Sequence, residues 1–233
     1  MILIKLILAH LIGDFFLQPT SWVKEKEKRK LKSPKLYLHV LIHIALLFLI
    51  LWDFSKWPII LIIGVSHFLI DALKLIFQSK RTKRLLFFID QSLHILVLIA
   101  IYWAGMSKEG FLSELFTDHT LILLTCILFL TLPVSIIMKT IFMKWDISKF
   151  TEGNESLKDA GMYIGILERI LVFVFVILNH WEAVGFLITA KSVFRFGDLK
   201  ESKERKLTEY ILIGTLISFG IAILIGLMYK MVI

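Results

Sequence analysis

Four pairs of ionisable side chains, each pair spaced four residues apart, interrupt the apolar first half of the chain. Residues four apart lie one turn apart on the same face of an α-helix, so both members of a pair point the same way. Imidazole and carboxylate groups are ligands for zinc, manganese and iron, and metal sites in helical bundles are built from such inward-pointing groups. The pairs are His10 with Asp14, His39 with His43, His67 with Asp71, and Asp90 with His94.

These pairs are predicted to bind a divalent metal ion, with zinc as the candidate. Eight side chains exceed the four ligands of one tetrahedral zinc site, so either two metals bind, or some members orient the ligands and a carboxylate acts as a general base. The predicted metal ligands are His10, Asp14, His39, His43, His67, Asp71 and His94. The predicted catalytic carboxylates are Asp14, Asp71 and Asp90. The alternative is a satisfied polar network that only holds helices together.

Three further polar residues, Gln18, Lys74 and Gln91, extend the same helix faces. Gln18 and Lys74 fall close to the ends of their segments, where a side chain can snorkel to the interface or cap a helix. We therefore leave all three out of the predicted site.

The segments that hold the pairs have the length and composition of membrane spans. Of the 233 residues, 58% are hydrophobic and 19 are Phe, whereas a soluble domain has about 45–50% apolar residues. We predict an all-α fold, a polytopic transmembrane helical bundle of about eight membrane segments, with the first and seventh short or interrupted. The segments are roughly 2–18, 36–52, 57–77, 85–105, 119–142, 160–179, 183–197 and 207–230.

Two halves of four spans each form one integral membrane domain in this prediction. Residues 1–105 carry the His and Asp pairs, and residues 106–233 carry motifs of Glu, Arg and Lys. Pro133 should kink the fifth span, because proline cannot donate a helix hydrogen bond. The single Cys126 excludes an internal disulfide and offers no zinc-thiolate cluster.

The basic residues are concentrated in alternate loops. Loops 19–35, 78–84, 139–158 and 191–206 hold seven, four, four and six Lys or Arg, which is 21 of the 27 in the chain. The positive-inside rule places these loops in the cytoplasm and both termini outside. We expect residues 24–35 to form a solvated cytoplasmic hairpin held against the anionic headgroups of the lipid bilayer. Because this run mixes both signs of charge, nucleic acid is not expected as a partner.

Depth in the membrane indicates whether the four pairs can meet. Counted at 1.5 Å per residue from the cytoplasmic ends of their spans, the eight side chains lie roughly 5–16 Å deep. Since neighbouring spans run in opposite directions, equal depth requires Asp after His in the first and third spans and Asp before His in the fourth. The sequence obeys this reversal. We therefore expect one inward-facing cluster in the cytoplasmic half of the membrane.

Charged residues in the second half form a separate set. Glu168 and Arg169 lie in the sixth span, roughly 12 Å deep, and Lys191 and Arg195 lie one turn apart near the cytoplasmic surface. The two basic side chains on one face could clamp a phosphate or a carboxylate, and all four residues are predicted to bind substrate. The alternative is an internal ion pair of a glutamate with one of the basic side chains, because an unpaired charge in lipid is costly.

Several segments resemble the uncharacterised bacterial membrane family called domain of unknown function 3307. They include LAHLIGDFFLQ from Leu8, the later His39 and His43, and the pair His67 and Asp71. The segments GILER from Gly165, TAKSVFRF from Thr189, and EYILIGT from Glu209 also resemble the family, so the resemblance covers nearly the whole chain. It implies a bacterial cytoplasmic (inner) membrane location and supplies no activity. The residue types are also loosely similar to membrane-bound metal-dependent hydrolases, without a shared extended motif.

The favoured function is an intramembrane metal-dependent hydrolase that acts on a lipid-derived or phosphate-bearing substrate from the cytoplasmic leaflet. The metal would lower the pKa of a bound water, and a carboxylate would take its proton. The first alternative is an ion- or proton-coupled transporter or channel, and the second is a structural or signalling membrane subunit. We find no convincing match between the two halves, which favours the enzyme over a transporter built from inverted repeats.

Overall fold

A computed structural model describes residues 2–105, 119–145, 159–196 and 202–233 of the chain, and every regular element in these ranges is helical. The predicted all-α class is therefore confirmed. The chain divides into two compact units, Met1–Thr125 and Cys126–Ile233. We call them unit 1 and unit 2.

Within the described residues, six helical segments are long and apolar enough to cross a membrane, which makes the chain an integral membrane protein. They are Pro34–Leu51, Phe54–Phe77, Lys83–Ala104, His119–Phe142, Ala160–Ile177 and Thr208–Val232. The first predicted span is the helical segment Ile2–Phe16, which meets the next helix at a bend of 83°. The seventh is a helix of only 16 residues, Trp181–Phe196. The first and seventh predicted spans, which were expected to be short or interrupted, are thus the two predicted spans that are not among these six segments.

Unit 1 begins with helix α1 (Ile2–Leu11), a π-helical turn (Ile12–Phe16) and helix α2 (Thr20–Arg29). A 3-10 turn (Lys30–Lys32) leads to α3 (Pro34–Leu51), a second 3-10 turn (Phe54–Lys56) to α4 (Trp57–Phe77), and then comes α5 (Lys83–Gly105). Helix α1 packs against α3 and α5, and α4 packs between α3 and α5. These four helices place their polar faces together.

Local residue choices explain where the helices of unit 1 begin. Ser33 caps α3, because its hydroxyl accepts the Lys35 amide at 3.3 Å. Pro34 at the first position has no N–H and so needs no acceptor. Asp53 accepts the Ser55 amide at 3.0 Å and starts the turn before α4. The Ser55 hydroxyl donates to the same carboxylate, and these two bonds lower the pKa of Asp53.

An apolar layer lies one turn beyond the polar faces. Its buried residues come from all four packed helices: Leu6, Ala9, Leu47, Ile60, Ile63 and Leu98. Burial of each large aliphatic side chain contributes about 1.5–3 kcal/mol. The layer therefore fixes how α1, α3, α4 and α5 approach one another, and with it the positions of the polar residues.

The segment expected to be a solvated hairpin is instead largely helical. Residues 24–29 belong to α2, and Lys26 is the one buried residue of that helix, with 5% of its surface exposed. Glu27 anchors α2 to the start of α5 and to the loop before it, because its carboxylate accepts from Lys83 Nζ at 2.6 Å and from Gln78 at 2.9 Å. The expectation was wrong for Lys26, because the 83° bend after Phe16 turns this side chain back toward the helices.

Helix α6 (His119–Leu130) comes next in the described part of the chain. It is followed in unit 2 by α7 (Leu132–Phe142), α8 (Ala160–Ile177), α9 (Trp181–Phe196) and α10 (Ser202–Val232). The predicted kink is present, since α6 ends and α7 begins around Thr131, with Pro133 in the first turn of α7. Helices α8 and α10 pack closely: a Cβ atom on Gly226 would lie 2.7 Å from Val176 Cγ1.

Candidate metal centre

All eight side chains of the four predicted pairs meet in unit 1, and we call them the central cluster. The π-helical turn supplies Asp14, and the others come from α1, α3, α4 and α5. No member has more than 8% of its side chain exposed. The expected convergence is therefore present, and the role of each residue as a metal ligand stays a prediction.

Asp14 lies at the middle of the imidazole groups. Its Oδ1 atom is 3.0 Å from His43 Nε2, 3.2 Å from His39 Nε2 and 3.5 Å from His67 Nε2. Two ligands of a tetrahedral zinc ion, each about 2.0–2.1 Å from the metal, are about 3.3 Å from each other. The spacing of these atoms thus matches that of ligands around a single ion.

The π-helical turn and a glycine create the room for this arrangement. Leu17 N donates to Ile12 O at 2.9 Å, a bond across five residues that widens the turn carrying Asp14. Gly13 is buried, and a Cβ atom on it would lie 2.4 Å from His43 Nε2. The imidazole of His43 can lie beside Asp14 only because residue 13 has no side chain.

His39 is surrounded by more polar atoms than an uncharged imidazole nitrogen can satisfy. Its Nε2 atom is 2.8 Å from Gln18 Nε2, 3.2 Å from His67 Nε2 and 3.2 Å from an oxygen of Asp14. An imidazole nitrogen carries either one proton or one lone pair, so it cannot accept from the amide and also donate to the carboxylate. His39 Nδ1 is buried without a hydrogen-bond partner in the described structure. A cation would satisfy the lone pairs of Asp14 and His67, whereas the Nε2 atom of His39 also faces the Gln18 amide.

A second group of candidate ligand atoms lies on α4 and α5. Lys26 Nζ donates to Asp71 Oδ2 at 2.8 Å, and Lys74 Nζ donates to Asp90 Oδ2 at 2.7 Å. The other oxygen of each carboxylate faces His94: Nε2 is 3.7 Å from Asp71 Oδ1 and 3.6 Å from Asp90 Oδ1. Each carboxylate therefore binds a lysine with one oxygen and presents the other to the cluster.

The sequence prediction left out four side chains that the structure brings into contact with the cluster. Gln18 contacts His39, and Lys74 pairs with Asp90. Gln91 donates to Asp14 Oδ2 at 2.8 Å and to Asp90 Oδ2 at 3.2 Å. The interpretation of Gln18 and Lys74 as interfacial or capping side chains was wrong, because each of them contacts a member of the cluster. Their spacing was the available signal, since Gln18 lies four residues after Asp14 and Lys74 three after Asp71. Lys26 gave no such signal.

A small cavity adjoins the deeper histidines. It is lined by polar residues on one side and by aliphatic residues of the apolar layer on the other: Leu6, His10, His43, Leu47, Ile63, Ser66, His67, His94, Val97 and Leu98. Its volume is sufficient for about one water molecule. The cavity can hold a water or a small ion next to the imidazoles.

Unit 2 holds the residues predicted to bind substrate. Lys191 Nζ donates to Glu168 Oε2 at 2.5 Å, which is the internal ion pair of the alternative interpretation. The side chain of Arg195 lies outside the described residues. Arg169 is buried and holds the break between α6 and α7, since its Nε donates to Leu130 O at 2.7 Å and its Nη2 to Thr131 O at 3.1 Å. Substrate binding by these four residues remains a prediction.

Arg169 has little donor capacity left for a ligand. Besides the two carbonyls, its Nη2 donates to Ser135 Oγ at 2.7 Å and its Nη1 donates to Ser218 Oγ at 3.3 Å. A guanidinium has five N–H donors, so these contacts occupy four of them. The arrangement favours a structural role for Arg169 at the helix break.

A comparison with protein families matches residues 2–123 to a family described as a protein of unknown function, DUF3307. The match includes every residue of the central cluster. No curated protein and no solved structure shows significant similarity to the chain.

Proposed function

The chain belongs to the DUF3307 family, whose description gives no activity, and we propose that its central cluster binds a divalent transition metal, with zinc as the candidate, and hydrolyses a lipid-derived or phosphate-bearing substrate. The observation that carries the proposal is the approach of three imidazole Nε2 atoms to one oxygen of Asp14, at 3.0–3.5 Å in a buried site. Imidazole and carboxylate are the ligand types that this ion prefers.

Charge supports a bound cation. The cluster and its contacts contain the carboxylates of Asp14, Asp71 and Asp90 but only two ammonium groups, those of Lys26 and Lys74. An excess of buried negative charge favours the uptake of a cation, because the interaction is screened far less than in water. Protonation of one imidazole is the competing way to supply that charge.

Unpaired atoms argue against a purely structural network. His39 Nδ1, Asp90 Oδ1 and His94 Nε2 are buried and have no hydrogen-bond partner in the described residues. A network that serves only to hold helices together is expected to pair such atoms, since a buried unpaired polar group costs about 1–3 kcal/mol. Coordination of a metal ion would satisfy these nitrogen and oxygen atoms.

One set of ligand atoms fits a first ion best. The relevant atoms of His10, Asp14, His43 and His67 lie within 4.8 Å of one another, and three of these residues line the cavity. Three of these side chains and a water molecule would supply the four ligands of a tetrahedral catalytic ion. His39 and Gln91, which contact Asp14, would orient its carboxylate.

The cavity and the remaining carboxylates suit the activation of water. A bound divalent ion would lower the pKa of a coordinated water to near neutrality. The cavity between His10, His43, His67 and His94 holds about one water molecule. Asp71 and Asp90 each keep one oxygen that no lysine occupies, and these oxygens can accept the proton that the water loses.

Substrate would reach the centre from the side of α2. Lys26 and Lys74 lie on that side of the cluster, and their ammonium groups would attract a phosphate. The exposed basic residues Lys24, Lys28 and Arg29 of α2 would lie against anionic headgroups at the cytoplasmic face. Because the cavity holds about one water molecule, α2 must move before a larger molecule can enter.

A second candidate function is an ion-coupled transporter or channel. The observation in its favour is the overlap of three candidate metal-binding groups: His10, Asp14, His43 and His67; His39, His67 and Asp71; and Asp71, Asp90 and His94. His67 belongs to the first two groups, and Asp71 belongs to the last two. A cation in transit passes between such neighbouring sites. The small cavity also suits an ion better than a lipid.

Reconstitution into vesicles of phosphatidylethanolamine and phosphatidylglycerol distinguishes the two functions. Release of phosphate or fatty acid and flux of zinc and protons are measured on the same preparation, metal-loaded or chelator-treated, with Asp14→Asn as the inactive variant. Metal-dependent hydrolysis that Asp14→Asn abolishes would support the enzyme. Metal flux without hydrolysis would contradict the enzyme and support the transporter or channel.

A further inference from the structure

Two buried polar atoms on α5 make no hydrogen bond within the described residues and lie close to each other. Asp90 Oδ1 and His94 Nε2 are 3.6 Å apart, and neither has a hydrogen-bond partner within the described part of the chain. Asp90 has 2% and His94 3% of its surface exposed, so solvent does not satisfy them. A buried carboxylate oxygen and a buried imidazole nitrogen at this distance can act as ligands of one metal ion.

Asp71 supplies the third ligand from α4. Its Oδ1 atom is 3.7 Å from His94 Nε2, and ligand atoms of Asp71, Asp90 and His94 lie within 4.8 Å of one another. Ligands of one ion are about 3.3 Å apart, so His94 Nε2 and each carboxylate oxygen would approach each other by a few tenths of an ångström when an ion binds. Lys26 and Lys74 bind the outer oxygens and leave the inner ones free to face an ion.

We infer that Asp71, Asp90 and His94 bind a second divalent ion, which makes the central cluster a two-metal centre. The inference rests on the proposed function, since it presupposes the first ion at Asp14. When the second ion is bound, the inner oxygens of Asp71 and Asp90 are its ligands, and they accept a proton from the water only while the second site is empty. The imidazoles of His67 and His94 are stacked with ring centroids 4.0 Å apart, so ligands of the two ions are neighbours. Two-metal hydrolytic centres hold their ions about 3.5–4 Å apart and share a water between them.

The lysines make the second site the weaker one. Lys26 and Lys74 hold their ammonium groups 2.8 and 2.7 Å from the two carboxylates that would bind the second ion. Like charges this close repel strongly in a buried site. Replacing one ammonium by a neutral amide therefore should strengthen the second site without altering any ligand.

Titration of the full-length protein in detergent with Mn²⁺, after removal of metal by a chelator, tests the inference. We expect two equivalents in the wild type, a tight one and a weaker one, and a spin-coupled Mn²⁺ pair by electron paramagnetic resonance. Asp90→Asn should bind one equivalent. Lys74→Gln should bind two, the second about tenfold or more tightly than in the wild type. Lys83→Gln, which removes a lysine that pairs with Glu27 on the surface, is the matched control.

The outcomes separate this inference from the proposed function. A single equivalent in the wild type, unchanged by Asp90→Asn and Lys74→Gln, would overturn the second site and leave the first intact. No bound Mn²⁺ or Zn²⁺ in any variant would overturn the metal centre itself. If Asp90→Asn fails to fold, the number of Mn²⁺ ions bound by the wild type and by Lys74→Gln still tests the second site, because both proteins keep every ligand.

Discussion

The imidazole of His43 lies against the backbone of Gly13, so close that a Cβ atom on residue 13 would come within 2.4 Å of its Cε1 and Nε2 atoms. The same Nε2 atom is 3.0 Å from Asp14 Oδ1. Residue 13 therefore determines whether the ring can reach the centre of the cluster.

Substitution of Gly13 by alanine should weaken metal binding. The added methyl group would push the His43 ring away from Asp14, and loss of such positioning typically costs about 10–100-fold in metal affinity. Competition with a chromophoric chelator measures the affinity. Gly161→Ala is the control, because a Cβ atom there meets no atom within 4 Å. Equal affinities of the two variants would contradict the positioning role.

Loss of the Lys26 ammonium should destabilise the protein when no metal is bound. Lys26 and Asp71 form an ion pair with 6% of each side chain exposed, and breaking a buried pair by removing one partner costs about 3–5 kcal/mol. We expect Lys26→Gln to lower the melting temperature of the metal-free protein in detergent, and added metal to restore part of the loss. Lys28→Gln, an exposed change on the same helix, should have almost no effect.

Substitution of Arg169 tests its proposed structural role. A lysine cannot reach the carbonyls of Leu130 and Thr131 together with two hydroxyls, so Arg169→Lys should lower the free energy of unfolding by about 2–4 kcal/mol. Metal content should stay at the wild-type level. Full stability of this variant together with a loss of hydrolysis would instead indicate that Arg169 binds substrate.

The basic loops predict the orientation of the chain in the membrane. In a background of Cys126→Ser, a cysteine at position 28 should react with a membrane-impermeant maleimide only from the cytoplasmic side. A cysteine at position 55, in the turn between α3 and α4, should react only from outside. Both positions are exposed in the structure. The opposite pattern would reverse the topology and place the substrate path on the other face.

The convergence of the eight residues could be predicted because it depends on simple geometry. Antiparallel spans place residues of equal depth in one layer, and the reversed order of Asp90 and His94 relative to His67 and Asp71 carries that information. Hydrophobic periodicity was not needed. The all-α class followed from composition in the same way.

The contacts that complete the cluster could not be predicted from spacing alone. The burial of Lys26 depends on the 83° bend between Phe16 and Thr20, and no residue type specifies that angle. No residue type in the sequence indicates the π-helical turn either. Gly13, which lies in this turn, leaves the space that the His43 ring occupies. Lys74 looked like an interfacial residue because its partner Asp90 lies on a different helix.

Elemental analysis of the purified protein tests the metal centre most directly. The wild type and the variants His43→Ala and His180→Ala are purified in detergent and their bound metal is measured by mass spectrometry. His180 is the control, since it is exposed and pairs with Glu182 outside the cluster. We predict at least one divalent transition metal per chain in the wild type and in His180→Ala, and a large loss in His43→Ala. Wild-type protein that carries no such metal, and takes up none when zinc or manganese is supplied, would contradict the proposed function.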